Sequence, residues 1–497
     1  MKPIKISILI LMILTGCIGT DKSNVEINVD TSKILYTMKG GLGASWHSLS
    51  KETPLENEKY KFPVRVVCPR GSGYGGNPPI TDTLAWNGIR EHASWLGLNF
   101  LRVELSQNIY EPERNKFDWE NEEMQALYLI LDWCQENNAD VFLQQMWGHV
   151  EWNSFPGVHP IISAPKNLDD FAEGIATLLE YLTQRKGYTC IKYFCMTNEP
   201  PGGPWGYWWE AGDGKCSIND AWKRLKVEFD KRKIDIPISG PDWTSMPPFD
   251  ESKLVFAPYL GSFDIHSYDG VTESGEANLK NWADWAHKQD KPFFLTEFGN
   301  MNLGWGTDNP GPKSFDAALS NANDVFRAIR AGVDGFNRWS FTNRGDLDGQ
   351  WQLIQTFDRE KKEYIQDVKP ENEAYYGFGI ISRFLSKYSS SVSCSVNQPD
   401  SVLMAVAMRS PSGQLSIFIL NKGEKELKSS LKIQGQAPEK LTVYKVSKEL
   451  VNQPGFELNP MATFKSNDRL EVILAPKSIT TITSYLLTNN DNGVMLN

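Results

Sequence analysis

Residues 191–200 read IKYFCMTNEP and residues 293–299 read FFLTEFG. Each is a short apolar run closed by a glutamate, Glu199 in the first and Glu297 in the second, and both runs are too short for a helix of ordinary length. They read as strands, with each glutamate where the strand gives way to a loop. Working outward, the runs 41–45, 100–104, 141–146, 236–239, 263–266 and 335–340 repeat the pattern, which together with 191–197 and 293–296 makes eight. Between them, 121–135, 168–183, 220–231, 279–288 and 315–331 carry apolar residues three and four apart, several opening with Asp or Asn at the cap position. Eight strands alternating with helical connections predict an α/β fold, a (β/α)8 TIM barrel, spanning 38–388. In such a barrel the reactive side chains sit at the C-terminal ends of strands.

After Tyr388 the texture changes. Runs at 402–408, 415–420, 427–433, 441–446 and 470–474 are short and alternating, broken by Ser410-Pro411-Ser412-Gly413 and Asn421-Lys422-Gly423. That is the pattern of a C-terminal β-sandwich domain, expected over 389–487. Val25, Ile27 and Val29 alternate in the same way, so the arm 17–37 is expected to add a strand to that sandwich.

The segment before the arm is not part of the fold. Lys2 and Lys5 precede an unbroken apolar stretch from Ile6 to Leu14, shorter than the ~20 residues of a membrane span and suited to an export signal. Leu14-Thr15-Gly16-Cys17 resembles a bacterial lipobox, with 1–16 removed and Cys17 lipidated. The expectation is an exported lipoprotein of the bacterial cell envelope, at the outer membrane facing the periplasm or the cell surface, with the membrane reached by lipid alone. An ordinary cleaved signal with an incidental cysteine is the other reading. The remaining cysteines, Cys68, Cys134, Cys190, Cys195, Cys216 and Cys394, show no repeated spacing and are expected to be mostly free, buried thiols.

Composition narrows the function. The 497 residues carry 51 Lys+Arg against 61 Asp+Glu, a formal charge of −10, without a basic run, which excludes a nucleic-acid partner. Seventeen tryptophans are a better clue. Sugars present flat apolar faces on which such rings stack, and Trp147, Trp152, Trp205, Tyr207, Trp208, Trp209, Trp305 and Trp351 all fall in or beside the predicted strand-end loops. His149, Glu151 and His159 lack the spacing of a standard zinc site, and the glycine-rich 71–76 lacks the lysine and hydroxyl residue of a phosphate cradle. Neither metal nor cofactor is expected.

Glu199 and Glu297 are three βα units apart, which puts them on the fourth and seventh barrel strands, facing one another across the mouth. Two carboxyls about 5–5.5 Å apart can cleave a glycosidic bond with retention: one protonates the leaving oxygen while the other attacks the anomeric carbon. The partner substrate would be an oligo- or polysaccharide.

With those residues in place, the sequence resembles glycoside hydrolase clan A over nearly all of the chain after the signal. Asn198-Glu199-Pro200 is similar to the clan's acid/base motif and Thr296-Glu297-Phe298 to its nucleophile motif. The resemblance implies that Arg102, ending the second strand, holds the nucleophile ionised, and that Asn198 bonds the sugar 2-hydroxyl. It also implies that Tyr268 orients the nucleophile, that His266 lines the sugar site, and that Trp339 floors the subsite beside the scissile bond. Trp147, after the third strand, is expected to meet the substrate. Arg102 and Tyr268 would lower the pKa of Glu297, whereas Glu199 shows no cation of its own in the sequence. A C-terminal sandwich beside the barrel resembles families thirty and thirty-nine most closely. The implied activity is that of a retaining hydrolase of β-linked glycans; the alternative is a surface lipoprotein that binds carbohydrate but has lost catalysis. Sugar, linkage, exo or endo action and oligomeric state are left open.

Overall fold

The structure is a computed structural model that describes residues 24–47, 77–148, 150–200, 207–209, 216–304, 310–342, 350–358, 360–361, 363–465 and 470–495. The chain opens with β1 (Asn24–Thr37) and then lays down β2 (Leu42–His47), β3 (Phe100–Ser106), β4 (Asp140–Trp147), β5 (Ile191–Cys195), β6 (Ile238–Trp243), β7 (Ser262–Ser267), β8 (Phe293–Phe298) and β9 (Gly335–Arg338), which close into a parallel barrel in that order. The helices of this part are α1 (Thr83–Leu96), α2 (Gln107–Tyr110), α3 (Glu122–Glu136), α4 (Leu168–Glu180), α5 (Ile218–Arg232), α6 (Glu273–His287) and α7 (Phe315–Ala331). The eight sequence-read strands and five helices are all present. Helix α6 starts six residues before its predicted start because its first turn, capped by Thr272 and bearing Glu273 and Glu276, is too polar to show periodicity. Helix α1 was missed, although Asp82 caps it and Ala85, Trp86, Ile89, Ala93 and Leu96 bury one face.

The alternation of each barrel strand builds the interior in layers. Phe100, Phe142 and Phe294 cluster with Cys195 and Tyr193 near the N-terminal end, with ring centroids of Phe100 and Phe294 5.0 Å apart. Gly43 makes room for this plug: a Cβ there would lie 1.9 Å from the Phe100 carbonyl oxygen. Two residues further along the same strands come Arg102, Gln144 and Thr296, all buried. The barrel is thus apolar at its base and polar toward its mouth.

Beyond the barrel, a hairpin of β10 (Ile354–Asp358) and β11 (Glu363–Pro370) leads to α8 (Asn372–Ser382). The closing domain holds β12 (Ser390–Val396), β13 (Leu403–Arg409), β14 (Leu415–Asn421), β15 (Leu427–Gln434), β16 (Lys440–Ser447), α9 (Lys448–Val451), β17 (Ala462–Lys465), β18 (Leu470–Leu474) and β19 (Ser478–Thr483). Its nine strands pair in the order β17-β16-β19-β14-β13-β12-β1-β15-β18. One face, including Ile27, Ile417, Val443 and Val472, forms the domain's own core. The other face, including Phe418, Tyr444 and Ile479, joins the barrel core, with Phe326 of α7 against Phe418 and Phe384 against Tyr444. The N-terminal arm enters this sheet as an internal strand: β1 runs antiparallel to β12 and parallel to β15.

Cys134, Cys190, Cys195 and Cys216 are buried free thiols, and Cys394 is a half-buried one. Cys17 and Cys68 lie outside the described residues, as does the whole signal segment. Among the described residues no helix is long and apolar enough to cross a membrane.

Candidate active site

The polar layer converges on two glutamates. Register decides how they face inward. Strand β8 pairs with β7 so that Ile265 faces Leu295 but His266 faces Glu297, which leaves Thr296 as an extra residue. A strict alternation from Phe294 would turn Glu297 outward; the irregularity re-aims it into the mouth. Glu199 stands beyond the end of β5 with a positive φ of 46°, the left-handed region that non-glycine residues enter only where surroundings hold them there.

Glu297 is 4% exposed. One of its oxygens accepts from Arg102 Nη1 and the other from the Tyr268 hydroxyl. Arg102 is wholly buried and spends its remaining donors within the barrel: Nε on Gln144 Oε1 at 2.6 Å, Nη2 on Asn198 Oδ1 at 2.8 Å, and Nη1 also on Glu104. Arg102 is therefore both the cation of Glu297 and the ion-pair partner of Glu104. Glu104 continues to His47 Nδ1, and His47 packs edge-on against Trp339 at 4.8 Å.

His266 stands between the two glutamates. Its Nδ1 lies 2.9 Å from Glu199 Oε1 and 3.3 Å from Glu297 Oε2, while Nε2 meets Asp242 Oδ1 at 2.9 Å. Burial is the largest influence on this ring and acts to lower its pKa. The negative charges of Glu297 and Asp242 and the hydrogen bonds to Asp242 and Glu199 outweigh it and raise the pKa well above the ordinary histidine value, so His266 is an imidazolium. One oxygen of Glu199, one nitrogen of His266 and one oxygen of Glu297 all lie within 4.8 Å of one another.

Two expectations need correcting. Glu199 does have a cation of its own, since His266, read from the sequence as lining the sugar site, has both nitrogens engaged with carboxylates. Glu297 is not held low: burial pushes it up to about 7, aided by Glu199 and Glu104 and opposed by Arg102 and His266. The sequence names the pairing groups but gives no measure of desolvation, which here is larger than either attraction.

Asn198 and Trp339 lie beside Arg102, 2% and 4% exposed, with the Trp339 ring 5.9 Å from the Arg102 guanidinium carbon. Trp147 ends β4, buried. The aromatic rim is only partly a rim. Tyr207 and Trp208 are buried, Trp208 against Phe171 at 5.7 Å with its indole N–H on Cys216 O, and Trp152 donates to Glu111 O, so these rings pack the loops. Trp351 stands edge-on to Tyr268 at 5.7 Å. Trp209 is 37% exposed. His149, Trp205 and Trp305 lie outside the described residues.

Asp242 was missed altogether; an acidic residue at the end of a strand-like run was the available signal. It forms a second acidic group with Cys195 and Asp264, whose polar atoms also lie within 4.8 Å of one another. Asp264 accepts from the Ser239 hydroxyl at 2.7 Å and the Thr296 hydroxyl at 3.1 Å, and burial together with the Asp242 charge raises its pKa far above the carboxylate range. A neutral carboxyl and a buried thiol are poor donors for a cation. At the mouth, Arg102 and the imidazolium already supply the positive charge that a metal would bring.

The comparisons with known proteins bear on the family and the fold. The family described as Cellulase (glycosyl hydrolase family 5) matches residues 80–343, more than half of the chain. No curated protein matches. Among solved structures, a glycoside hydrolase family 30 subfamily 8 xylanase from Clostridium acetobutylicum is 15% identical with a TM-score of 0.60, covering 92% of this chain and 99% of its own. A family 39 β-xylosidase from Caulobacter crescentus is 12% identical with a TM-score of 0.59 and the same coverages. A conserved exported protein from Bacteroides fragilis is 12% identical with a TM-score of 0.64, again over 92% and 99%. The family match covers barrel sequence alone, whereas the structural likeness to the family 30 and family 39 proteins extends over 92% of the chain and so takes in the sandwich. On the match to its barrel, the protein belongs to the cellulase family, glycosyl hydrolase family 5, in clan A, a glycosidase fold whose substrate is carbohydrate.

Proposed function

We propose that the protein is a retaining hydrolase of β-linked glycans that works by double displacement between Glu297 and Glu199. The observation that carries this reading is the approach of the two carboxylates, with oxygens within 4.8 Å across the barrel mouth, the close spacing of retaining rather than inverting enzymes. In the first step the Glu297 carboxylate attacks the anomeric carbon, the glycosidic bond breaks, and the Glu199 carboxyl gives its proton to the departing oxygen. In the second, Glu199 takes a proton from water, whose oxygen displaces Glu297 from the anomeric carbon. The Tyr268 and Arg102 donors support Glu297 as nucleophile because both favour its ionised form. Similarity to proteins named as xylanase and β-xylosidase supports a xylose-containing, β-linked glycan as the substrate class.

A panel of 4-nitrophenyl β-D-glycosides with xylan, β-glucan and mannan identifies the sugar by released product. Azide then separates the roles. Glu297→Gly is expected to lose activity at least a thousandfold, by order of magnitude, and to be rescued to a glycosyl azide of inverted configuration; Glu199→Ala is expected to give the retained azide and to keep 2,4-dinitrophenyl glycosides as substrates. The opposite pair of azide products would exchange the two roles.

The lipobox at Leu14-Thr15-Gly16-Cys17 supports export and attachment to a bacterial envelope membrane through Cys17.

A further inference from the structure

Asp242 touches more of the mouth than any motif in the sequence indicates. In the β6–β7 register Pro241 faces Asp264 and Trp243 faces Ile265, so Asp242 is the extra residue, and its φ is 59°. Aspartate tolerates this left-handed region better than most residues, and the turn sends its carboxylate into the barrel. The side chain is wholly buried. One oxygen meets His266 Nε2 at 2.9 Å; the other accepts from Gln144 Nε2 at 2.8 Å and from the backbone N–H of Glu199 at 3.2 Å. Gln144 continues to Arg102, Arg102 to Glu297, and Glu297 to His266, which closes a ring of contacts around the site.

We propose that Asp242 is a positioning residue for proton transfer: it fixes His266 as the donor to Glu199 and pins the Glu199 backbone, so that the acid carboxyl is aimed across the mouth. This rests on the assignment of Glu199 as acid/base.

His266 is faced by Asp242 from β6, Glu199 from the loop after β5, Glu297 from β8 and Asp264 from its own strand. The Asp242 charge and its hydrogen bond both raise the pKa of His266. Asparagine at 242 keeps the size of the side chain. With its amide oxygen toward Gln144 and Glu199 and its N–H toward Nε2, it leaves His266 a neutral ring still donating from Nδ1. The charge goes and the geometry stays.

The test measures kcat/KM against pH for wild type, Asp242→Asn and Asp242→Ala, using 4-nitrophenyl and 2,4-dinitrophenyl β-D-glycosides of the sugar that the panel selects. In Asp242→Asn the pKa of His266, followed by ¹⁵N NMR of its ring, is expected to fall, because the Asp242 charge that raises it is gone. Activity should fall about tenfold further on the 4-nitrophenyl than on the dinitrophenyl substrate, since only the former needs its leaving oxygen protonated. In a Glu199→Ala background the same substitution should add nothing. Equal losses on both substrates would overturn the proposal. Should the variants fail to fold, ¹⁵N NMR of the wild-type His266 ring decides: both nitrogens are expected to stay protonated well above the pH at which an ordinary histidine titrates, and a ring already neutral there overturns it. Full activity of Glu199→Ala on 4-nitrophenyl substrates would instead remove the assignment on which the proposal stands.

Discussion

Arg102 shows how one side chain can serve the barrel and the reaction together. Its guanidinium links Glu104, Glu297, Asn198 and Gln144, so the cation that supports the nucleophile is also the hub of the buried polar layer. A buried charge persists only when its donors are spent in this way. The cost of burial shows at Glu297, pushed up to about 7 although two cations face it. A nucleophile must be ionised, so kcat/KM is expected to fall as pH drops through about 7, well above the acid limb of an exposed glutamate. Tyr268 donates to that carboxylate, and a lost donor disfavours the ionised form. Tyr268→Phe should therefore move the acid limb up by about one pH unit, a shift worth roughly 1.4 kcal/mol. A limb that stayed in place or moved down would show that the tyrosine does not stabilise the carboxylate.

At the level of elements, the irregular strands matter more than the regular ones. The extra residues Thr296 in β8 and Asp242 in β6 turn Glu297 and Asp242 inward, and neither irregularity has a sequence signature. Strand β1 shows the opposite case. Its alternating Val25, Ile27 and Val29 predict a half-buried strand, and all three are 0–1% exposed in the core of the second domain. Since β1 is paired on both sides, removing buried volume from it should weaken the sheet at its middle. Ile27→Ala is expected to destabilise by ~2–4 kcal/mol in urea unfolding of that domain; a loss below about 1 kcal/mol would mean that the strand is peripheral. Helix α8 could not be read from periodicity because it is buried on almost every side and carries two glycines. Gly377 is there for close approach: a Cβ would sit 2.4 Å from that of Ala318 on α7.

For the whole molecule, the barrel and the sandwich are held by shared core and by charge: Arg330 of α7 pairs with Asp400 and Glu276, and Thr481 donates to Ile380 O of α8. Attachment to a membrane concerns a segment outside the described residues. Cys17→Ala is expected to release the protein from the membrane fraction of cells expressing it, with detergent partitioning lost, while activity per folded molecule stays the same; retention of the variant on membranes would dismiss the lipid anchor. The sequence by itself determined the eight alternating strands, the change to a sandwich, the contribution of the N-terminal arm, and the identity of Glu199, Glu297, Arg102, Asn198, His266, Tyr268 and Trp339 as groups near one mouth. The strands, the sandwich, the arm and the two glutamates follow from period, order and spacing, which are local properties of the chain; the other five residues follow from the resemblance to clan A. Tertiary structure alone decided that Asp242 and Glu104 complete the polar ring, that Tyr207 and Trp208 pack loops instead of facing solvent, and that burial lifts Glu297 despite its cations. Register and desolvation arise only once distant segments are packed around a residue, and no spacing along the chain encodes them.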